Sequence, residues 1–298
     1  MNRFSKLLSK LRKSGHVEGA GESGASFLVS ILAGVENRSL IWILPDNSTC
    51  ENAARELETF SRPARKEESI LVFPEIESSY YQGISPHPST ATQRARALWR
   101  IRSGFQGVVI TTIKSFLTRI PPPKRLFKHC IHLETGASLP LETFIRSLKD
   151  IGYTRADSVS EKGTYAARGG IVDVFSIAGE HPLRIDFFGD EIDSIREFSE
   201  SSQRSLRMLH ECDIIPVREV IVPEEEFEEW NRESFKYWKD ISYADDLEEK
   251  FDFTSRRELF NGFEFLFPLL HSDQVGLADY FQEVPGLIVS EPGNSVEA

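Results

Sequence analysis

The sequence predicts an α/β protein in which a parallel-sheet domain with a degenerate phosphate loop carries an inserted, smaller α+β domain built on an antiparallel meander. Three observations predict it. Short apolar runs alternate with helical stretches up to about residue 121. From Gly163 the pattern changes to closely spaced strands with glycine turns. A last short apolar run returns near the C-terminus.

The elements follow in order. Met1 to Ser14 places Phe4, Leu7, Leu8 and Leu11 at helical spacing among Arg3, Lys6, Lys10, Arg12 and Lys13, which predicts an amphipathic surface helix. No long apolar core and cleavage site follow, so it does not read as a secretory signal. Leu40 to Leu44, ended by Pro45, predicts a buried strand. Asn47 to Phe60 predicts a helix with Asn47 or Ser48 as its cap. Ile70 to Phe73 is a second strand, Thr90 to Ser103 a helix stopped by Gly104, and Val108 to Thr112 a third strand. Pro121-Pro122-Pro123 breaks the chain and marks a boundary.

A helix is expected from Leu141 to Ile151. Strands are expected at Thr164–Arg168, Ile171–Phe175, Leu183–Phe188 and Ile192–Phe198. Gly169-Gly170, Gly179 to Pro182 and Gly189-Asp190 supply the turns. Beyond Pro216 the chain turns acidic, with Trp230, Phe235, Tyr237 and Trp238 interleaved, so it does not read as simply disordered. Phe263, Phe265 and Phe267 alternate as a strand would, Leu287 to Val289 is a further strand, and Glu291 to Ala298 reads as a frayed end.

Composition narrows the function. With 298 residues the chain suggests two or three domains. A formal net charge of −11 argues against tight nonspecific DNA binding and leans toward protein partners. Arg94, Arg96, Arg100 and Arg102 offer a local DNA-binding alternative, but they occupy more than one helix face. No apolar run approaches the ~20 residues needed to span a bilayer. Cys50, Cys130 and Cys212 are odd in number and far apart, which fits a reducing cytoplasm without a disulfide framework. His129, Cys130 and His132 lack a second ligand pair and would alternate in direction along a strand, so no metal is expected there.

Gly19 to Ser26 has the G-x-x-x-x-G-x-[ST] spacing of a phosphate-binding loop ahead of the apolar run Phe27 to Leu32. Such a loop needs a lysine at the seventh position to reach the β- and γ-phosphates; here Ala25 stands there, between Gly24 and Ser26. Glu22 adds a negative charge where phosphate would sit. A glycine-rich turn matching by accident is the alternative. Neither reading supports catalysis or a nucleotide cofactor. Asp190-Glu191-Ile192-Asp193 reads as turn acids flanking Ile192 rather than a Mg²⁺ site.

On the strand Leu183 to Phe188 the side chains alternate, so Arg184, Asp186 and Phe188 share one face, with Arg168 closing a strand nearby. An arginine, a carboxylate and an aromatic together suit a recognition surface. A solvated face with a cross-strand ion pair stands beside it as the plainer reading.

The stretch Gly163 to Phe175, continued by His181 to Arg196, resembles a signature shared by the bacterial excinuclease B subunit (UvrB) and the N-terminal part of the transcription-repair coupling factor (Mfd). Ala25 in the loop, only Tyr80-Tyr81 where the B subunit has a long tyrosine-rich hairpin, Ser202 to Ser205, and Gly262 to Phe281 resemble the coupling-factor version. A damage-binding ATPase like the B subunit is the alternative. The resemblance implies three domains, here 1–123 (1a-like), 124–215 (2-like) and 216–298 (1b-like). It implies that the middle one binds the excinuclease A subunit (UvrA) through Arg168, Arg184 and Asp186. A further family arginine falls at Ala166, so one contact is missing or replaced. It also implies possible masking of this surface by the parent protein's own C-terminal region. RNA polymerase and DNA would be engaged by later parts of the parent, an ATP-driven translocase, and this chain stops before them.

Overall fold

The computed structural model describes residues 15–36, 38–60, 69–77, 84–238, 259 and 261–290. The readings made at Met1 to Ser14, at Tyr80-Tyr81, at Glu291 to Ala298, and for the side chains of Phe235, Tyr237 and Trp238 lie outside the described residues.

In chain order the elements are α1 (Gly21–Val35), β1 (Leu40–Leu44), α2 (Asn47–Phe60), β2 (Ile70–Phe73), α3 (Pro88–Arg102), β3 (Val108–Thr112), α4 (Ile113–Leu117), α5 (Pro123–Phe127) and β4 (Ile131–Glu134). Then come α6 (Leu141–Asp150), β5 (Thr154–Arg155), β6 (Thr164–Arg168), β7 (Ile171–Val174), β8 (Leu183–Phe188), β9 (Glu191–Phe198), β10 (Ser205–Leu209) and β11 (Glu211–Ile214). The chain closes with α7 (Phe227–Trp238), α8 (Phe267–Leu270) and β12 (Gly286–Val289). They form two compact units.

The first unit comprises described residues of 1–75, 101–118 and 281–298. Its sheet is wholly parallel, in the order β12-β1-β3-β2. Every residue of β1 and β3 is buried, as in central strands of a parallel sheet covered on both faces. Val29 of α1 and Cys50, Ala53 and Leu57 of α2 pack on Leu40, Trp42, Leu44, Val108 and Ile110. The returning strand β12 lies beside β1 with Gly286 opposite Leu40. A Cβ at Gly286 would stand 2.6 Å from Leu40 Cδ2, so a larger residue here would force the buried Leu40 side chain to move. The cap of α2 falls one residue earlier than the sequence suggested. Asp46 Oδ1 accepts the Thr49 N–H at 2.8 Å, and this holds the Asp46 carboxyl below its usual range. Asn47 is engaged instead with Glu75, accepting its N–H at 2.8 Å and donating to its carbonyl at 3.1 Å.

The second unit holds residues of 76–100 and 119–280. The expected meander is present and longer than the sequence indicated. It is a six-stranded sheet in the order β10-β9-β8-β7-β6-β5, antiparallel except where β5 runs parallel to β6. A separate ladder pairs β4 with β11. The inner face meets α6: Phe144 and Leu148 pack with Tyr165, Val172, Val174, Leu183, Ile185, Ile192 and Ile195.

The segment around Phe263 corrects an expectation. Phe263 to Leu266 is a 3₁₀ turn leading into α8, not a strand. Gly262 opens it at φ +85°, and Pro268 in the first turn of α8 has no N–H to give a sheet ladder. Phe263, Leu266 and Phe267, at i, i+3 and i+4, point into a core with Val220, Val222, Phe227 and Trp230. That is helical spacing, and it overrides the alternation of aromatics.

Candidate functional site

The outer face of the six-stranded sheet is built by register. Residues facing each other across β6, β7, β8 and β9 form one rung, Arg168–Ile171–Asp186–Ser194. A second rung continues onto β10: Ala166–Asp173–Arg184–Arg196–Met208. A register shift after Asp186 pairs Phe187 with Ile192, leaving Asp193 as the extra residue between Ile192 and Ser194. The shift lets Ile192 and Ile195 both enter the core while Ser194 and Arg196 face out.

Arg184, Asp186 and Phe188 therefore do share a face, and Arg168 stands on the rung of Asp186. Their chemistry is more committed than the sequence showed. Arg184 donates to both Asp173 oxygens, at 2.6 and 2.7 Å, and to Gln203 Oε1 at 3.1 Å. Its guanidinium lies over the Phe198 ring at 4.5 Å. The Asp173 carboxylate pushes the Arg184 pKa further up. Asp186 accepts from Ser194 Oγ at 2.6 Å and pairs with Arg196 at 2.9 Å. Arg168 donates to the carbonyl of Asp157. Phe188, in contrast, is 83% exposed.

Two alternating ion pairs thus neutralise the middle of the face and hold its side chains in one arrangement. The paired side chains are only 17–28% exposed, so the pairs are largely shielded from water and fix the surface in one arrangement. Asp173, Ser194, Arg196, Phe198 and Met208 escaped the sequence reading. Only the register puts them beside Arg184 and Asp186, and register is not visible in one strand at a time.

The position expected to have lost an arginine, Ala166, is 6% exposed. It packs in a small cluster with Val159 and Phe175, and Lys162 sits over the Phe175 ring at 5.7 Å. The segment around residues 157–162 covers the outer face at this end.

The phosphate-loop region has a different geometry from an open cradle. No strand precedes it among the described residues, and α1 already begins at Gly21, so Gly24, Ala25 and Ser26 lie inside the helix. Gly19 turns at φ +75° just before. Ala25 packs toward the core of the first unit. Ser23 and Ser26 donate to the two Glu56 oxygens at 2.6 and 2.5 Å and hold the Glu56 carboxyl low. A fixed carboxylate beside Ser26 opposes a phosphate there. Placing a lysine at position 25 (Ala25→Lys) is therefore expected to give no saturable heat with Mg-ATP in titration calorimetry; saturable binding would overturn this geometry.

The arginines of α3 do not form an exposed basic stripe. Arg94 is 1% exposed and paired with Glu219, Arg96 and Arg100 are half-buried, and only Arg102 is exposed. His132 Nδ1 meets Asp213 Oδ1 at 2.8 Å, and Cys130 packs beside Ala95, Ile177 and Ile215. Among the described residues no group of three or more histidines, cysteines or carboxylates is placed to hold a metal. No described helix is long and apolar enough to cross a membrane.

Residues 131–219, which include β6 to β10, match the family model of the UvrB interaction domain. The chain is 28% identical over 261 residues to the transcription-repair-coupling factor of Haemophilus influenzae, covering 87% of this chain and 22% of that protein. It is 27% identical over 274 residues to the one of Escherichia coli, covering 90% of this chain and 23% of that protein. The Mycobacterium tuberculosis factor is 31% identical over 167 residues, 53% of this chain and 14% of that protein. The chain thus spans under a quarter of the length of these relatives. Together these matches agree with the resemblance read in the sequence: the middle of the chain matches the UvrB interaction domain, and over most of its length the chain is similar to the transcription-repair-coupling factors, consistent with their N-terminal module.

Proposed function

We propose that this chain is the docking module of a transcription-repair coupling factor, and that its UvrB interaction domain binds the excinuclease A subunit. In this reading the outer sheet face is the contact, with Arg168, Arg184, Asp186 and Phe188 in it. The module divides into 1–123, 124–215 and 216–298, does no ATP chemistry itself, and serves to bring repair proteins to stalled transcription. The kinship with coupling factors and the UvrB interaction domain support the role. The observation that carries the surface is Phe188: a large aromatic 83% exposed at the end of a strand whose charged neighbours are already paired. Among the described residues it has no packing task, and exposed aromatics beside arginine are typical anchors of protein interfaces.

The test uses Phe188→Glu. Arg184→Glu is a poorer probe, because it sets a new carboxylate against Asp173 and near Asp186. Phe188→Glu changes stability by no more than about 0.5 kcal/mol, as surface substitutions do. Losing a hot spot of about 2 kcal/mol weakens excinuclease A binding roughly 30-fold in a titration. Equal affinity of variant and wild type, or no binding by wild type, refutes the assignment.

A further inference from the structure

We infer that the docking face is displaced toward the β10 edge in this chain, with Met208 as a second apolar anchor for the same partner. The inference rests on the reading just given and assigns the part of the surface that it leaves open.

The first argument is size. Arg168, Arg184, Asp186 and Phe188 span three strands and about 13 Å along the strand direction. A stable interface takes about 800 Å² from each partner, well beyond that footprint. The contact must extend to one side or the other.

The second argument is access. Toward β6 the face is closed on the Ala166 rung, while Arg168 and Ile171 on the neighbouring rung stay exposed. Ala166 is buried under Val159, and Arg168 is tied to the carbonyl of Asp157 in the same covering segment. An arginine at position 166 would have no room to reach a partner without displacing that cover. Toward β10 the face is open. Met208 is 63% exposed, and Leu206 on the same strand is also exposed. Met208 sits on the Asp173–Arg184–Arg196 rung, so it continues the ordered surface without a break.

The third argument is chemistry. Arg196 is held by Asp186, which leaves the β10 end of the rung without a free charge at its centre. The partner surface that fits here offers an apolar cleft for a thioether, not a matching acid. Methionine, unbranched and polarisable, suits such a cleft because it adapts to irregular walls. The loss of an arginine contact at Ala166 is thereby offset by apolar contact at the opposite edge.

The experiment titrates excinuclease A with the whole chain as wild type, Met208→Glu, Phe188→Glu and Glu161→Lys. Glu161 is an exposed residue of the covering segment on the closed side. Met208→Glu is expected to weaken binding at least tenfold with an unchanged melting temperature, and Glu161→Lys to leave affinity as it was. Wild-type affinity in Met208→Glu together with weakening in Phe188→Glu overturns this inference and leaves the docking function standing. A strong loss in Glu161→Lys also overturns it, since the contact would then lie over β6. Failure of wild type to bind overturns the function and this inference with it.

Discussion

Replacing Arg94 with methionine is expected to lower the unfolding free energy of the second unit by about 3–5 kcal/mol. The guanidinium is 1% exposed and pairs with Glu219, whose side chain is 10% exposed; Nη2 meets Oε2 at 3.2 Å and Nε meets Oε1. The pair ties α3 to the segment following β11. Removing one partner leaves the Glu219 carboxylate desolvated without its counter-charge, and that residual charge dominates the cost. The double variant Arg94→Met with Glu219→Leu removes both charges and should recover most of the loss, to within about 2 kcal/mol of wild type. Urea unfolding followed by tryptophan fluorescence measures both. If the single variant costs less than about 1 kcal/mol, the pair is not a structural tie. This result also separates two roles for Arg94, since a phosphate contact would change salt-dependent DNA binding and leave stability alone.

The burial of Arg94 shows where sequence reading reached its limit. Strands such as Leu40–Leu44 and Val108–Thr112 were legible because a parallel sheet covered on both faces demands runs of apolar and β-branched residues. The helix Asn47–Phe60 was legible in its span though not in its cap, and the hairpin turns were legible from their glycines. The strands β4, β10 and β11 were not. Ile131–Glu134 and Glu211–Ile214 alternate charged with apolar residues over only four positions, and Ser205–Leu209 is an edge strand with four of its five residues exposed. Their strand character comes from pairing, which is long-range in sequence. Likewise Arg184 and Asp186 were found by alternation along one strand, but their partners Asp173 and Arg196 lie on the neighbouring strands. An arginine on a helix reads as solvated until a carboxylate 125 residues away is seen against it.

Phe144→Ala is expected to cost about 3–5 kcal/mol, because it empties the centre of the core beneath the proposed docking face. Phe144 is fully buried on α6, one helical turn from Leu148, and its ring lies 5.7 Å from that of Phe187. Phe187 points into this core, while Phe188, the next residue, points out. The inner face therefore anchors the strand end that displays the outer aromatic. Thermal melting should show a drop of roughly 10 °C for a unit of this size. Excinuclease A binding, measured well below the new midpoint, should weaken less than in Phe188→Glu, since the proposed contact residues remain. The two variants thus exchange order between assays: Phe144→Ala ranks first in stability loss and Phe188→Glu first in affinity loss. If Phe144→Ala instead matches or exceeds Phe188→Glu in affinity loss while the chain is still folded, the binding energy resides in the rigidity of the strand rather than in the exposed ring.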